Sequence, residues 1–172
     1  MPISRSDVRI REATSDDEDL LWLMLTFAAS MADGGAEQVA QAQADTYLRG
    51  YVANWGRQAG DLGVVAVESG RERGVGAAWL RLHGGDGQFN VGTDTIPELA
   101  TALQPEWRGA GVGAQMMTAL IAMARGRYPA LKLSVRESNR AAAFYERLGF
   151  RETSRLQNRV GGVSLSMQLD LR

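Results

Sequence analysis

The 172-residue chain contains no cysteine. Disulfides are therefore excluded, along with a thiol nucleophile and any thiolate-held metal. Histidine occurs once, as His83. A single imidazole excludes sites that need two, and a Ser-His-Asp triad built elsewhere in the chain. Its place beside Gly84 and Gly85 reads as a surface loop. No metal site is expected. Neither sign of charge is in excess: 19 Lys and Arg stand against 20 Asp and Glu, a net charge of -1. That balance leaves no electrostatic footprint for nucleic acid or an anionic membrane. The longest apolar run, residues 20–25, is too short to span a bilayer. Residues 1–10 carry Arg5, Asp7 and Arg9 and lack the apolar core of a secretory leader, so a cytoplasmic protein is expected. What remains is an ordinary globular mix, 45% hydrophobic and 23% charged, suited to a single domain over residues 1–172.

Periodicity supplies the elements. Val8 and Ile10 alternate with Arg9 and Arg11 in a first strand. Ser15, Asp16, Asp17 and Glu18 have capping-box spacing before an apolar helix over 20–29. Gly34 and Gly35 break it. Ala40, Ala44, Tyr47, Leu48, Tyr51, Val52 and Trp55 recur at helical spacing and predict one second helix. Strands follow over 62–68, 75–82 and 96–103, the first two joined by a turn bracketed by Gly70 and Gly74. A helix over 113–125 ends at Gly126 and Pro129. Leu131, Leu133 and Val135 mark a fifth strand. A helix from Ser138 or Asn139 to Gly149, then strands over 150–159 and 163–169, complete the chain. The order is β-α-α-β-β-β-α-β-α-β-β. Successive strands two to four suit hairpins, and the helix after strand four suits a parallel crossover. The sheet is therefore mixed, in an α/β or α+β layer fold.

The chemistry is concentrated in residues 103–124. A strand ends, and Arg108-Gly109-Ala110-Gly111-Val112-Gly113-Ala114 leads into a helix. Alternating glycines remove Cβ atoms where a ligand must approach the backbone. The helix start offers unpaired N–H groups and a positive dipole end, an anion site whose usual occupant is phosphate. Arg108 adds a fork of donors. A P-loop is excluded, because Gly113-Ala114-Gln115 stands where Gly-Lys-Ser/Thr is needed. Gly109, Gly111 and Ala114 fit the dinucleotide spacing G-x-G-x-x-A. That motif, however, starts at a strand end in the first βα unit, and here Pro105-Glu106-Trp107-Arg108 intervenes. A nicotinamide-dependent oxidoreductase remains the alternative on this segment alone, beside a plain tight helix entry.

Arg108-x-x-Gly111-x-Gly113 resembles the Q/R-x-x-G-x-G/A loop of the GCN5-related N-acetyltransferases (GNAT), and Pro105-Glu106-Trp107-Arg108-Gly109 is similar to that family's Pro-Glu-Tyr-Arg-Gly. Further on, residues 139–150, from Asn139 through Phe144-Tyr145 to Gly149-Phe150, resemble its N-x-x-A-x-x-F-Y-x-x-x-G-F signature. The resemblance spans the chain, but only residues 98–150 are specific. It implies a mixed, mostly antiparallel seven-stranded sheet flanked by about four helices. It also implies an acetyl-CoA-dependent N-acetyltransferase needing no metal, with a small-molecule or peptide amine as partner. Family members are often dimers, so a homodimer is compatible.

By the same resemblance, strand four is bulged and splays from strand five. The pantetheine arm then meets the backbone of Ala102, Leu103 and Gln104. The pyrophosphate sits on N–H groups of Arg108, Gly109, Ala110, Gly111, Val112, Gly113 and Ala114. Asn139 touches the pantetheine, or caps a helix. Tyr145 lies near the thioester sulfur as a proton donor, or packs in the core. An amine acceptor is mostly protonated at neutral pH, so a base is needed. Glu98, sharing a strand face with Ala100 and Ala102, is the candidate, with Asp94 next. Without cysteine there is no acyl-enzyme on a thiol, and direct transfer in a ternary complex fits. A non-catalytic coenzyme A module, another acyl group and a hydroxyl acceptor are the alternatives. Trp22, Tyr47, Tyr51, Trp55 and Trp79 line an apolar acceptor site or fill the core. Asp33, Glu37 and Asp45 attract a cationic acceptor or are merely solvated.

Overall fold

The computed structural model describes residues 2–29, 31, 35–83, 95–159 and 161–172. A strand β1 (Val8–Glu12) leads through a short 3-10 turn (Ser15–Asp17) into helix α1 (Glu18–Ala28). The capping box sits one residue earlier than the sequence spacing suggests. Thr14 and Asp17 form it, because the Asp17 carboxylate also takes a fork of bonds from Arg11 at 2.7 and 2.8 Å. Glu18 is thereby left to bind the Asn54 N–H at 3.2 Å.

The single second helix is in fact two, α2 (Ala36–Ala44) and α3 (Thr46–Val52). Asp45 separates them in an extended conformation, and its Oδ1 accepts from the N–H groups of Tyr47 and Leu48. An N-cap of this kind starts a new helix while the apolar phase runs on. Strands β2 (Leu62–Glu68), β3 (Gly74–Arg81) and β4 (Glu98–Leu103) follow, then helix α4 (Val112–Ala124) and strand β5 (Ala130–Arg136). Helix α5 (Ala141–Arg147) and the hairpin β6 (Arg151–Gln157) and β7 (Val163–Asp170) end the fold.

The seven strands form one sheet in the order β1-β2-β3-β4-β5-β7-β6. Every pairing is antiparallel except β4 with β5. Both faces are covered. Val112, Met116, Met117, Leu120 and Ala124 line one side of α4 at helical spacing and pack on Val64, Ala66, Ala78 and Leu80. Leu21, Trp22, Met24 and Leu25 of α1 pack on Val65, Val67, Ala77 and Trp79 of the opposite face. β2 is buried on both faces, which explains its continuous apolar run. Among the described residues, no helix is long and apolar enough to cross a membrane.

Candidate functional site

The sheet has a seam. β4 keeps unbroken register with β3, from Glu98 opposite Arg81 to Leu103 opposite Gly76. Against β5 only Glu98 and Lys132 are in register, with the Lys132 N–H donating to the Pro97 carbonyl at 3.1 Å. Beyond that point the two strands part. The splay expected from the resemblance is present, whereas a bulge in β4 is not. Register shifts fall instead on the β2–β3 and β6–β7 pairs. The Gln104 N–H donates to the Val75 carbonyl at 2.9 Å. Antiparallel alternation then directs the backbone groups of Ala102 toward β3 and those of Leu103 toward the seam. Arg108 Nε donates to the Leu103 carbonyl at 3.2 Å, in keeping with that orientation.

The loop after β4 makes a 3-10 turn (Pro105–Trp107) that buries Trp107. Gly109 and Gly111 then take φ of +80° and +85°, the left-handed region that glycine adopts without strain. Gly111 immediately precedes α4. The Arg108 N–H is engaged by the Pro105 carbonyl at 3.2 Å, so it is not available to a ligand in this state. The first bond closing the helix runs from the Gln115 N–H to the Gly111 carbonyl. The N–H groups just before it, at the start of α4, have no helical partner. Gly113 has ordinary φ, but a Cβ there would point between Leu103 Cδ1 and Phe144 Cζ, 3.8 Å from each. Its missing side chain keeps the seam open between β4 and α5. An anion cradle continuous with an exposed strand edge fits a ligand made of a pyrophosphate and an amide-bearing arm.

Tyr145 is buried on the α4 side of the sheet, its ring 5.5 Å from Phe144 and 5.7 Å from Phe150. Burial pushes its phenol up to about 12. Asn139 is exposed, and its Oδ1 accepts from the Ala141 N–H at 2.9 Å at the entry to α5.

Glu98 stands on the other face of β4, with Ala100 and Ala102, against the α1–α3 layer. Only 3% of it is exposed. Oε1 accepts from the Tyr51 hydroxyl at 2.7 Å, and Oε2 lies 3.0 Å from His83 Nε2. Burial, reinforced by the Glu98 charge, holds the Tyr51 phenol well above its ordinary range, so Tyr51 stays a donor. Tyr47 Oη is 3.5 Å from Tyr51 Oη. His83 departs from the surface-loop expectation: its imidazole is tucked edge-on against Tyr51, 5.5 Å between centroids. The glycines after it signal a loop, but the histidine itself is covered because α3 is tied onto β3. Trp79 Nε1 donates to the Tyr51 carbonyl, Trp55 Nε1 to the Leu80 carbonyl, and Arg81 to the Ala53 carbonyl. Arg81 also pairs with Asp61 at 3.1 Å in a buried bridge. Trp22, Trp55 and Trp79 are core, whereas Tyr47 and Tyr51 reach the Glu98 cluster. Asp94 and Asp33 lie outside the described residues.

An anion cradle on one face of the sheet, a buried carboxylate on the other and a parted pair of strands between them make up the candidate site. Gly109 to Ala114 follow the fourth strand of a mostly antiparallel sheet, which removes the dinucleotide reading, since that requires the first turn of a doubly wound one. Residues 99–171 match the family model described as Acetyltransferase (GNAT) domain. No curated protein sequence matches the chain. A GNAT-family acetyltransferase from Streptococcus pneumoniae superposes with a TM-score of 0.68 at 16% identity, over 96% of this chain and 99% of that one. yncA from Salmonella typhimurium, solved with acetyl-CoA, gives 0.65 at 22% identity, over 96% and 94%. The ribosomal-protein-alanine N-acetyltransferase from Brucella melitensis gives 0.65 at 24% identity, over 95% and 99%. At such identities the likeness establishes the fold. The matched residues 99–171 hold β4, the glycine loop and the Phe144-Tyr145 segment.

Proposed function

We propose that the chain is an acetyl-CoA-dependent acetyltransferase of the GNAT kind and that it acts on an amine, by direct attack within a ternary complex. The observation that carries the proposal is Glu98: a carboxylate buried at the closed end of the seam, across the sheet from the glycine loop and Tyr145. An ammonium sheds its proton before its nitrogen attacks and a hydroxyl as it attacks; a carboxylate is a weak base, matched better to the far more acidic ammonium. Acetyl-CoA supplies the activated acetyl group and a thiolate leaving group. The N–H groups of Gly109 to Ala114 hold the pyrophosphate, and the seam-facing backbone of Leu103 binds the arm. Asn139 lies at the α5 entry to the same seam. Glu98 takes the amine proton. Tyr51 and His83 hold its two oxygens in place and act as positioning residues. Tyr145 donates a hydrogen bond to the departing sulfur. The amine specificity named for the Brucella melitensis relative is consistent with this reading.

The test is thiol release from acetyl-CoA with a panel of amines and alcohols. Amines are expected to turn over and alcohols are not. Glu98→Gln should lower kcat/KM on the order of 10²-fold at neutral pH, with the loss shrinking as pH rises and free amine becomes abundant. Cofactor binding without any turnover would overturn the proposal, and so would an unchanged Glu98→Gln rate.

A further inference from the structure

Arg159 lies in the connection between β6 and β7 and reaches a partner 114 residues away in sequence. Its Nη2 is 2.7 Å from Asp45 Oδ2 and its Nη1 is 3.3 Å from Oδ1. Its Cζ stands 4.5 Å over the centroid of the Tyr47 ring. A guanidinium thus sits in a corner made of one carboxylate and one aromatic face, the pairing that recognises organic cations. The corner is built independently of Arg159. Asp45 Oδ1 is fixed by the N–H groups of Tyr47 and Leu48, and Tyr47 is the first full turn of α3. The Arg159 bond, followed by the Leu48 N–H, holds the Asp45 carboxyl below its ordinary range, so it is a carboxylate at neutral pH. The corner also leads to the chemistry. Tyr47 Oη is 3.5 Å from Tyr51 Oη, and the Tyr51 hydroxyl donates to Glu98 at 2.7 Å.

We infer that the Asp45–Tyr47 corner is an acceptor subsite for a second cationic group, and that Arg159 occupies it as an intramolecular surrogate. The acceptor class is then an amine bearing another ammonium or guanidinium a few carbons from the reacting nitrogen. Arg159 and Asp45 are both partly exposed, and an ion pair of that kind is weak, so a soluble cation can displace it. The inference deepens the amine-acceptor reading and rests on it.

The experiment compares 1,4-diaminobutane and agmatine with butylamine, which presents the same primary amine without a second cation. Arg159→Ala should lower KM for the two dications by roughly 2- to 5-fold and leave butylamine unchanged. Adding Asp45→Asn to that variant should raise KM for the dications by about 10-fold and again spare butylamine. Asparagine caps a helix as well as aspartate does, so α3 should survive, which circular dichroism would check. Arg159→Ala raising KM for all three amines would mean that Arg159 is a wall of the site and would overturn the inference. An unchanged ratio of diaminobutane to butylamine in the double variant would do the same. Calorimetry of diaminobutane without acetyl-CoA separates the two readings. Asp45-dependent binding to a protein that acetylates no amine would leave the subsite standing and the amine-transfer reading overturned.

Discussion

Burial lifts the Tyr145 phenol to about 12, and that changes the kind of help it can give. Full transfer of its proton to a thiolate whose acid has a pKa of about 8.5 is uphill by about 5 kcal/mol. A hydrogen bond to the sulfur carries no such penalty. Tyr145→Phe keeps the ring between Phe144 and Phe150 and removes only the hydroxyl proposed to make that bond. The fall in kcat should be roughly 10- to 10²-fold, with KM for acetyl-CoA little changed. The phenol stays protonated well above neutrality, so it generates no alkaline limb below about pH 10, and the pH profile of the variant should keep its shape. The linkage to stability has a definite sign. The folded pKa lies above the unfolded one, so this contribution is intact below about pH 10 and is lost as pH rises toward 12. Loss of acetyl-CoA binding with normal kcat would assign the hydroxyl to holding the cofactor instead.

The start of α4 separates two kinds of glycine. Gly111, at φ +85°, is strained by any side chain, so a bulky residue there damages the loop whether or not a ligand binds. Gly113 has room for a methyl group at van der Waals distance from Leu103 and Phe144. Gly113→Ala should therefore stabilise the free protein by up to about 1 kcal/mol of helix propensity, read as a higher melting temperature. It should also weaken coenzyme A binding measured by calorimetry, because the methyl enters the seam. The two effects have opposite signs, so binding as tight as in the unchanged chain would reject the assignment of the seam. Elements of this kind were legible in the sequence. The Arg108–Gly113 loop, the α4 stripe and the Phe144-Tyr145 segment are local patterns. The division of α2 from α3 was hidden, because Ala40 to Trp55 keep helical phase through Asp45. His83 was hidden for a different reason: its burial depends on α3 folding back over β3, through Trp79, Trp55 and Arg81, and local pattern carries no trace of that. The Arg159–Asp45 pair likewise has no signature at a separation of 114 residues.

At the scale of the whole molecule, the sheet is two half-sheets, β1 to β4 and β5 to β7, that meet at Glu98 and Lys132 and then diverge. The fold class and strand count were readable from alternation and from the resemblance. The place where the sheet parts had no signal in periodicity, because Leu99, Leu103, Leu131 and Leu133 alternate as in any paired strand. The parting has a cost outside catalysis. Strand edges normally lie at the margins of a sheet, where short length, charge or proline keeps them from recruiting other chains. Among the described residues, two further edges lie in the interior, along β4 and β5, which carry Leu99, Leu103, Leu131 and Leu133. When the seam is empty, those edges are templates for strand addition from a second molecule. On the proposed reading, the coenzyme A arm would cover those edges as well as deliver the acetyl group. Saturating coenzyme A should slow amide hydrogen exchange at Leu103 and along β5, and should delay light scattering on heating. Equal scattering with and without coenzyme A, under conditions where binding is demonstrated, would show that the interior edges are protected by other means.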